Sequence, residues 1–267
     1  NHDRGILVNG QRVTVRYVLR EGDVLGLFDR DAEATASETV IPCEHPLDIL
    51  YEDDFVIALC KPAYMPTHPS HGHLTDTLGN ALAFRYAAAS EPFVFRPLGR
   101  LDRNTSGLLL ATKSSHLAFA MAQKPEKVYF AIVLGHLEGQ GTINQPIRVK
   151  EGCTITREVG EGGKDSITHW QALASDGEIT LVRVVIETGR THQIRVHMAW
   201  LGHPLAGDTM YGTDEVILPR HGLHCARTAF DHPITDQRVS LTSPIPADMR
   251  QLLEFRGIWQ DEWDTMG

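Results

Sequence analysis

The stretch Arg96-Pro97-Leu98-Gly99-Arg100-Leu101-Asp102-Arg103-Asn104-Thr105-Ser106-Gly107-Leu108-Leu109-Leu110-Ala111 joins a polar loop to an apolar run. The run, from Leu108 on, predicts a buried strand. The loop holds one carboxylate, Asp102, between Arg100 and Arg103. Nearby positive charge favours the ionised form of a carboxylate. Asp102 is therefore suited to act as a nucleophile or charge stabiliser, and unsuited to donate a proton. A solvated turn with a local ion pair accounts for the same residues. The remainder of the chain decides between the two.

Upstream, Leu47 to Glu52 and Phe55 to Cys60 read as buried strands meeting at Asp53-Asp54. The segment Lys61-Pro62-Ala63-Tyr64-Met65-Pro66-Thr67-His68-Pro69 is too rich in proline for a helix or an inner strand. Thr75 or Asp76 can cap a helix through Leu78, Leu82 and Phe84-Arg85. Downstream, Ser114 is placed to cap a helix carrying Leu117, Phe119 and Met121. Lys127 to Leu134 is then a strand, with Lys127, Tyr129 and Ala131 on one face and Val128, Phe130 and Ile132 on the other. Residues 139–166 are polar and glycine-rich, which predicts a mobile insertion or a hairpin region. A strand pair follows, Trp170 to Leu173 and Thr180 to Glu187, turning at Asp176-Gly177. Ile194, Met198 and Leu201 then form the apolar stripe of a short helix. Thr191 can cap its start, and Gly202 and Pro204 mark its end.

At the N-terminus, Gly5 to Val8, the turn dipeptide Asn9-Gly10 and the alternation of Val13, Val15 and Tyr17 predict a hairpin. Val24 to Leu27 adds a strand, and the polar residues from Asp29 to Glu44 read as a linker. Two units result: an appendage with linker over 1–40 and a main domain over 41–267.

The 267 residues carry a net charge of -9, which argues against indiscriminate nucleic-acid binding. The cations are nonetheless clustered. Between Phe93 and Phe130 lie Arg96, Arg100, Arg103, Lys113, Lys124 and Lys127 against Asp102 and Glu126 alone. A basic site inside an acidic shell suits a specific anionic substrate. Four scattered cysteines without a CxxC pair argue for reduced thiols in the cytoplasm. No apolar run approaches the roughly 18 residues that span a bilayer, so no membrane partner is expected. The opening Asn1-His2-Asp3-Arg4 is not that of a signal peptide. His192 and His197 stand five apart, not at the i, i+4 spacing of a helical metal pair, so no metal site is expected.

Three stretches now stand together: Arg100-Leu101-Asp102 with Thr105-Ser106-Gly107, Lys127-x-Tyr129, and Gly189-Arg190-Thr191-His192-Gln193-Ile194-Arg195-Val196-His197. In order and spacing they resemble the motifs of the RluA-type pseudouridine synthases. The resemblance continues through Gly202-His203-Pro204-Leu205-Ala206-Gly207-Asp208, Tyr211-Gly212, Leu223-His224 and Phe230-Asp231-His232-Pro233 to Pro244-Ile245-Pro246-Ala247-Asp248-Met249, and upstream over Asp54 to Pro69, so that it covers roughly residues 45 to 255. Gly99 stands where that family usually has His, Tyr64 where Gly is common, and Cys60 where Asn is common. The N-terminal hairpin resembles the second half of the small RNA-binding domain first known in ribosomal protein S-four.

The resemblance implies an α+β fold with a large, mainly antiparallel mixed sheet flanked by helices and loops. It implies isomerisation of uridine to pseudouridine in RNA, in large-subunit ribosomal RNA or in transfer RNA, by a cytoplasmic monomer without metal or cofactor. Asp102 would be the nucleophile, Arg195 its ion-pair partner, and Tyr129 the aromatic that stacks on uracil and assists proton movement. Lys127 would orient neighbouring groups. Arg100 would fill the place of the flipped base or grip a phosphate, and Arg190 and Lys61 would hold phosphates. Two rivals are weighed against this. A retaining glycoside hydrolase needs a second carboxyl about 5 to 5.5 Å from the first, for which Asp208 is the nearest candidate. A non-catalytic RNA-binding module would not need Asp102.

Overall fold

The computed structural model describes residues 6–14, 16–27, 40–91, 94–121, 125–213 and 217–264. It opens on a three-stranded antiparallel sheet of β1 (Ile6–Val8), β2 (Gln11–Val13) and β3 (Leu25–Leu27), in the order β2-β1-β3. Asn9 and Gly10 take φ of 53° and 78°, the positive pair that a two-residue hairpin turn requires. The Asn9 side chain donates to Asp23 and accepts from Val24 N–H, which ties the turn to the approach of β3. β2 ends at Val13, earlier than the alternation predicts. The Tyr17 N–H bonds the Thr14 carbonyl at 2.9 Å, so the chain is already turning there. Val15 and residues 28–39, most of the expected linker, lie outside the described residues.

The chain continues with β4 (Asp48–Glu52), β5 (Val56–Lys61), α1 (Leu78–Ala88), β6 (Arg96–Pro97), β7 (Ser106–Thr112), α2 (Ser115–Met121) and β8 (Glu126–Leu134). Next come β9 (Gln140–Asn144), β10 (Ile147–Val149), β11 (Arg157–Val159), β12 (Ile167–Ser175) and β13 (Ile179–Ile186). It closes with α3 (Gln193–Trp200), β14 (Leu223–Asp231), β15 (Arg238–Thr242) and α4 (Ala247–Phe255). Ten strands form one sheet in the order β4-β5-β7-β14-β8-β13-β12-β9, with β6 added on β7 and β15 on β14. Its pairings are antiparallel except β7 with β14, which run parallel. This is the mainly antiparallel mixed sheet and α+β architecture expected. Of the two readings of the glycine-rich stretch 139–166, the structure shows the hairpin region. The stretch supplies β9 at the sheet edge and the separate β10–β11 hairpin.

The period-two alternation of β8 sorts its side chains into two cores. Tyr129 and Ala131 pack with Leu78 and Leu82 of α1 and with Ile194 and Met198 of α3. Phe130 and Ile132 pack with Met249 and Leu253 of α4 and with Trp263. Two helix starts differ from expectation. Thr77, not Thr75 or Asp76, caps α1, in a reciprocal box in which Asn80 answers the Thr77 backbone N–H. His192, not Thr191, is the N-cap of α3, and its side chain makes no capping bond. The other end of α3 closes as expected at Gly202 (φ 93°), with His203 N–H bonded to Met198 O at 2.9 Å.

The parallel seam places Cys225 opposite Gly107. Gly107 has φ 110°, and a Cβ there would stand 2.3 Å from the Cys225 carbonyl oxygen, so backbone would meet side chain directly. Gly107→Ala is expected to cost about 3 kcal/mol or more, or to prevent folding, because neither strand can retreat from a packed core. Gly139→Ala has φ 76° with open space around the site and is expected to cost only about 1–2 kcal/mol for its left-handed backbone. Urea unfolding of the two variants checks the contrast; equal losses would contradict it.

Candidate active site

The loop over 98–105 runs into β7 at the parallel seam, where no ladder serves its carbonyls, so other donors must reach them. Lys127 Nζ donates to Leu98 O at 3.0 Å, and Thr67 Oγ1 to Leu101 O at 3.0 Å. The Thr105 N–H returns to Asp102 O at 3.1 Å. Lys61 Nζ donates to Arg103 O at 3.2 Å, and Arg220 Nη1 to Asn104 O at 3.0 Å. Three cations on β5, β8 and the segment before β14 thus grip one loop. Arg220 is itself anchored by a fork of bonds to Asp248 at 2.7 and 3.0 Å. Lys61 is wholly buried and spends its other two protons on Pro62 O and Met65 O, both at 2.8 Å. Burial pulls its pKa down to about 7, against the attraction of Asp102. This is a different place from the one expected for a phosphate contact: the ammonium braces the loop from beneath and has no N–H left for a ligand.

Asp102 is held with its carboxylate partly exposed, and Oδ2 lies 3.3 Å from Arg195 Nη1. The cation that faces it is therefore on α3. Of its sequence neighbours, Arg103 bonds the Tyr64 carbonyl at 3.3 Å and Arg100 is exposed. Arg195 is aimed by a second carboxylate: its Nε and Nη2 donate to Asp208 Oδ2 and Oδ1 at 2.7 and 2.8 Å. Burial pushes the Asp208 carboxyl up, but the hydrogen bonds and charge of Arg195 outweigh it and hold Asp208 below the usual carboxylate range. Asp208 also accepts from Met210 and Tyr211 N–H. The guanidinium lies over the Tyr211 ring, 4.9 Å from its centroid. An ionised, buried and fully bonded Asp208 is in the wrong state to be the acid/base partner that a retaining glycoside hydrolase requires.

A cleft of about 610 Å³ opens over this pair, bordered by Asp102, Arg195, Tyr129, Lys127, Arg100 and Arg190. Six of the seven residues singled out in the sequence therefore meet in one cleft; Lys61 lies outside its lining. Tyr129 is almost wholly buried, and burial, with the Cys225 thiol beside it, pushes its phenol well above the ordinary value. It stays protonated at neutral pH. Burial likewise lowers the Lys127 ammonium. Arg190 is exposed and bonds the Asp165 carbonyl through Nε at 3.0 Å. His221, behind Thr105, is buried and pulled down to about 3, and so is neutral.

The sequence assigns no role to Arg220 or Thr67, and weighs Asp208 only as the second carboxyl of a glycoside hydrolase and His192 only as a metal ligand. Asp208 and His192 lie inside the stretches that carry the family resemblance, so their positions were marked but their partners were not. Arg220 and Thr67 sit in loops whose spacing has no period, and only the fold shows that they converge on the Asp102 loop.

Residues 55–200 match the family model described as RNA pseudouridylate synthase. The chain is 38% identical over 253 residues to an uncharacterised RNA pseudouridine synthase, YjbO, of Bacillus subtilis (strain 168), covering 92% of this chain and 89% of that one. It is 34% identical over 267 residues to ribosomal large subunit pseudouridine synthase D of Vibrio cholerae serotype O1, covering 92% and 82% respectively. Among solved structures, human RNA pseudouridylate synthase domain containing 1 matches with a TM-score of 0.60 at 25% identity, over 81% of this chain and 96% of that one. With a family match over more than half its length and relatives of this closeness, the chain belongs to the RluA-type RNA pseudouridylate synthases, which isomerise uridine to pseudouridine within RNA.

Proposed function

We propose that the chain modifies uridines of large-subunit ribosomal RNA with Asp102 as the nucleophile. One observation carries the assignment of roles. Asp102 faces Arg195 at 3.3 Å in the cleft, while Asp208 engages the opposite side of the same guanidinium. A carboxylate held against a fixed cation is oriented for attack. The fork from Asp208 keeps the guanidinium from swinging away when the carboxylate moves onto substrate. Uracil rests against Tyr129, whose phenol, kept protonated by burial, donates or holds a water that takes the proton from the new carbon bond. Arg100, exposed at the cleft rim, takes the place of the flipped base or an adjoining phosphate, and Arg190 holds a second phosphate. Lys127, bonded to Leu98 O, orients the loop. Ribosomal RNA is favoured over transfer RNA because relatives named for the large ribosomal subunit cover most of the chain. The N-terminal unit over 1–40, with a sheet separate from that of the catalytic domain over 41–267, adds an RNA contact.

Bulk ribosomal and transfer RNA labelled with tritium at carbon 5 of uracil is expected to release tritium with this protein and not with Asp102→Asn. Mass spectrometry of nuclease digests is expected to place the product in large-subunit ribosomal RNA. Release by Asp102→Asn would remove the nucleophile, and product in transfer RNA alone would move the target.

Asp208→Asn is expected to lose about a hundredfold in kcat/KM, since loss of the fork frees Arg195 to drift from Asp102. It is also expected to cost about 3 kcal/mol at pH 7, because a buried cation loses the nearer of its two counter-charges. The folded-state pKa of Asp208 is depressed below 3.8, so its contribution is present above that value and lost as pH falls through the folded pKa. The stability gap between wild type and variant should therefore be constant near neutrality and close in acid. A gap that widens below pH 4 in urea titrations would contradict this.

A further inference from the structure

His192 carries a ring N–H that no acceptor among the described residues takes. At the start of α3 it takes φ 58°, a left-handed backbone that a non-glycine residue keeps only where its surroundings enforce it. The result is that the ring, instead of capping the helix, turns into the cleft between Tyr211 and Asp102. Nδ1 lies 2.8 Å from the Tyr211 hydroxyl, and that oxygen already accepts the Arg157 N–H at 2.9 Å. Donation of the hydroxyl proton to Nδ1 places a neutral ring's own hydrogen on Nε2. Burial keeps the ring neutral, holding its pKa below 6.5 despite the attraction of Asp102.

Nε2 stands 3.9 Å from Asp102 Oδ2, beyond hydrogen-bond reach, and the side chain is only 11% exposed. Among the described residues no acceptor bonds it. A nearly buried donor left open in a substrate cleft marks the position of a ligand atom. The identity of that atom follows from its two neighbours. An atom about 2.8 Å from both Nε2 and Oδ2 must accept from the imidazole and tolerate a carboxylate. A carbonyl or phosphate oxygen would bring lone pairs against the carboxylate. A hydroxyl accepts from one and donates to the other. In an internal nucleotide the 3′ and 5′ oxygens are esterified, and the free sugar hydroxyl is the 2′ one.

We propose that His192 Nε2 and Asp102 Oδ2 bracket the 2′-hydroxyl of the target uridine, with Tyr211 setting the tautomer that makes this possible. The contact rests on the reading of Asp102 as the attacking group. It makes His192 the residue that selects ribose over deoxyribose at the target, and it leaves Asp102 Oδ1 as the oxygen free to attack.

The test uses synthetic RNA hairpins containing a uridine mapped by the mass-spectrometric assay, with ribose or 2′-deoxyribose at that one position. Wild type is expected to lose about ten- to a hundredfold in kcat/KM on the deoxy hairpin. His192→Phe is expected to lose a similar factor on the ribose hairpin and little more on the deoxy one, so that the two losses do not multiply. His192→Gln, which returns an N–H near the place of Nε2, should regain part of the discrimination, and thermal unfolding of each variant separates a folding defect from a contact defect. Equal turnover of both hairpins by wild type, or full discrimination retained by His192→Phe, would overturn the hydroxyl contact while leaving Asp102 in place. Absence of tritium release by wild type from any RNA would instead overturn the reading of the cleft, and the hydroxyl contact with it.

Discussion

A loop that holds a carboxylate at the edge of a cleft cannot use the sheet below it to satisfy its own carbonyls. Here that constraint is met by side chains from distant parts of the chain. Lys61 from β5, Lys127 from β8 and Arg220 from the segment before β14 each place an N–H on a different carbonyl of the Asp102 loop. Each cation is buried, and a buried cation is costly unless it is fully bonded. The loop needs the cations, and the cations need the loop. This mutual requirement holds Asp102 in one position relative to the sheet, and it ties two strands and the segment before β14 into the site.

The pair of Arg195 with Asp102 follows the same logic. A buried ion pair is weak evidence of stability, since desolvation offsets much of the attraction. Its value here is geometric. Asp208 and the Tyr211 ring hold the guanidinium from two sides, leaving Nη1 for Asp102. One cation thereby serves two carboxylates of different kinds. Asp208 is buried and spent on anchoring, while Asp102 keeps access to the cleft.

The parts of this arrangement differ in how far they could be read from the chain. Alternation along β8 separated Tyr129 and Ala131 from Phe130 and Ile132, and the two cores respect that division. The apolar run after Asp102 became the wholly buried β7. Helix starts were misplaced by one or two residues, because Thr75, Asp76 and Thr77 can each offer an oxygen, and Asn80 closes the box only with Thr77. The family resemblance implies a phosphate contact for Lys61. Burial reverses that reading, since its protons are all used on carbonyls. Arg100 and Arg103 flank Asp102 in sequence, yet Arg103 bonds the Tyr64 carbonyl, Arg100 is exposed, and the ion pair of Asp102 is with Arg195.

By itself, then, the sequence determined the class of fold, the strand faces, the family resemblance and six of the residues that line the cleft. These are local or pattern-based properties: periodicity, turn chemistry and the order of short motifs survive without knowledge of contacts. Tertiary structure alone decided which charges meet. The parallel pairing of β7 with β14 brings Ser106 beside His224, and the turn after α3 delivers Asp208 to Arg195. Electrostatic roles depend on distance and burial, which fall off over a few ångströms and bear no relation to separation along the chain. Only the fold could make Asp208 an anchor, Lys61 a brace and His192 an open donor.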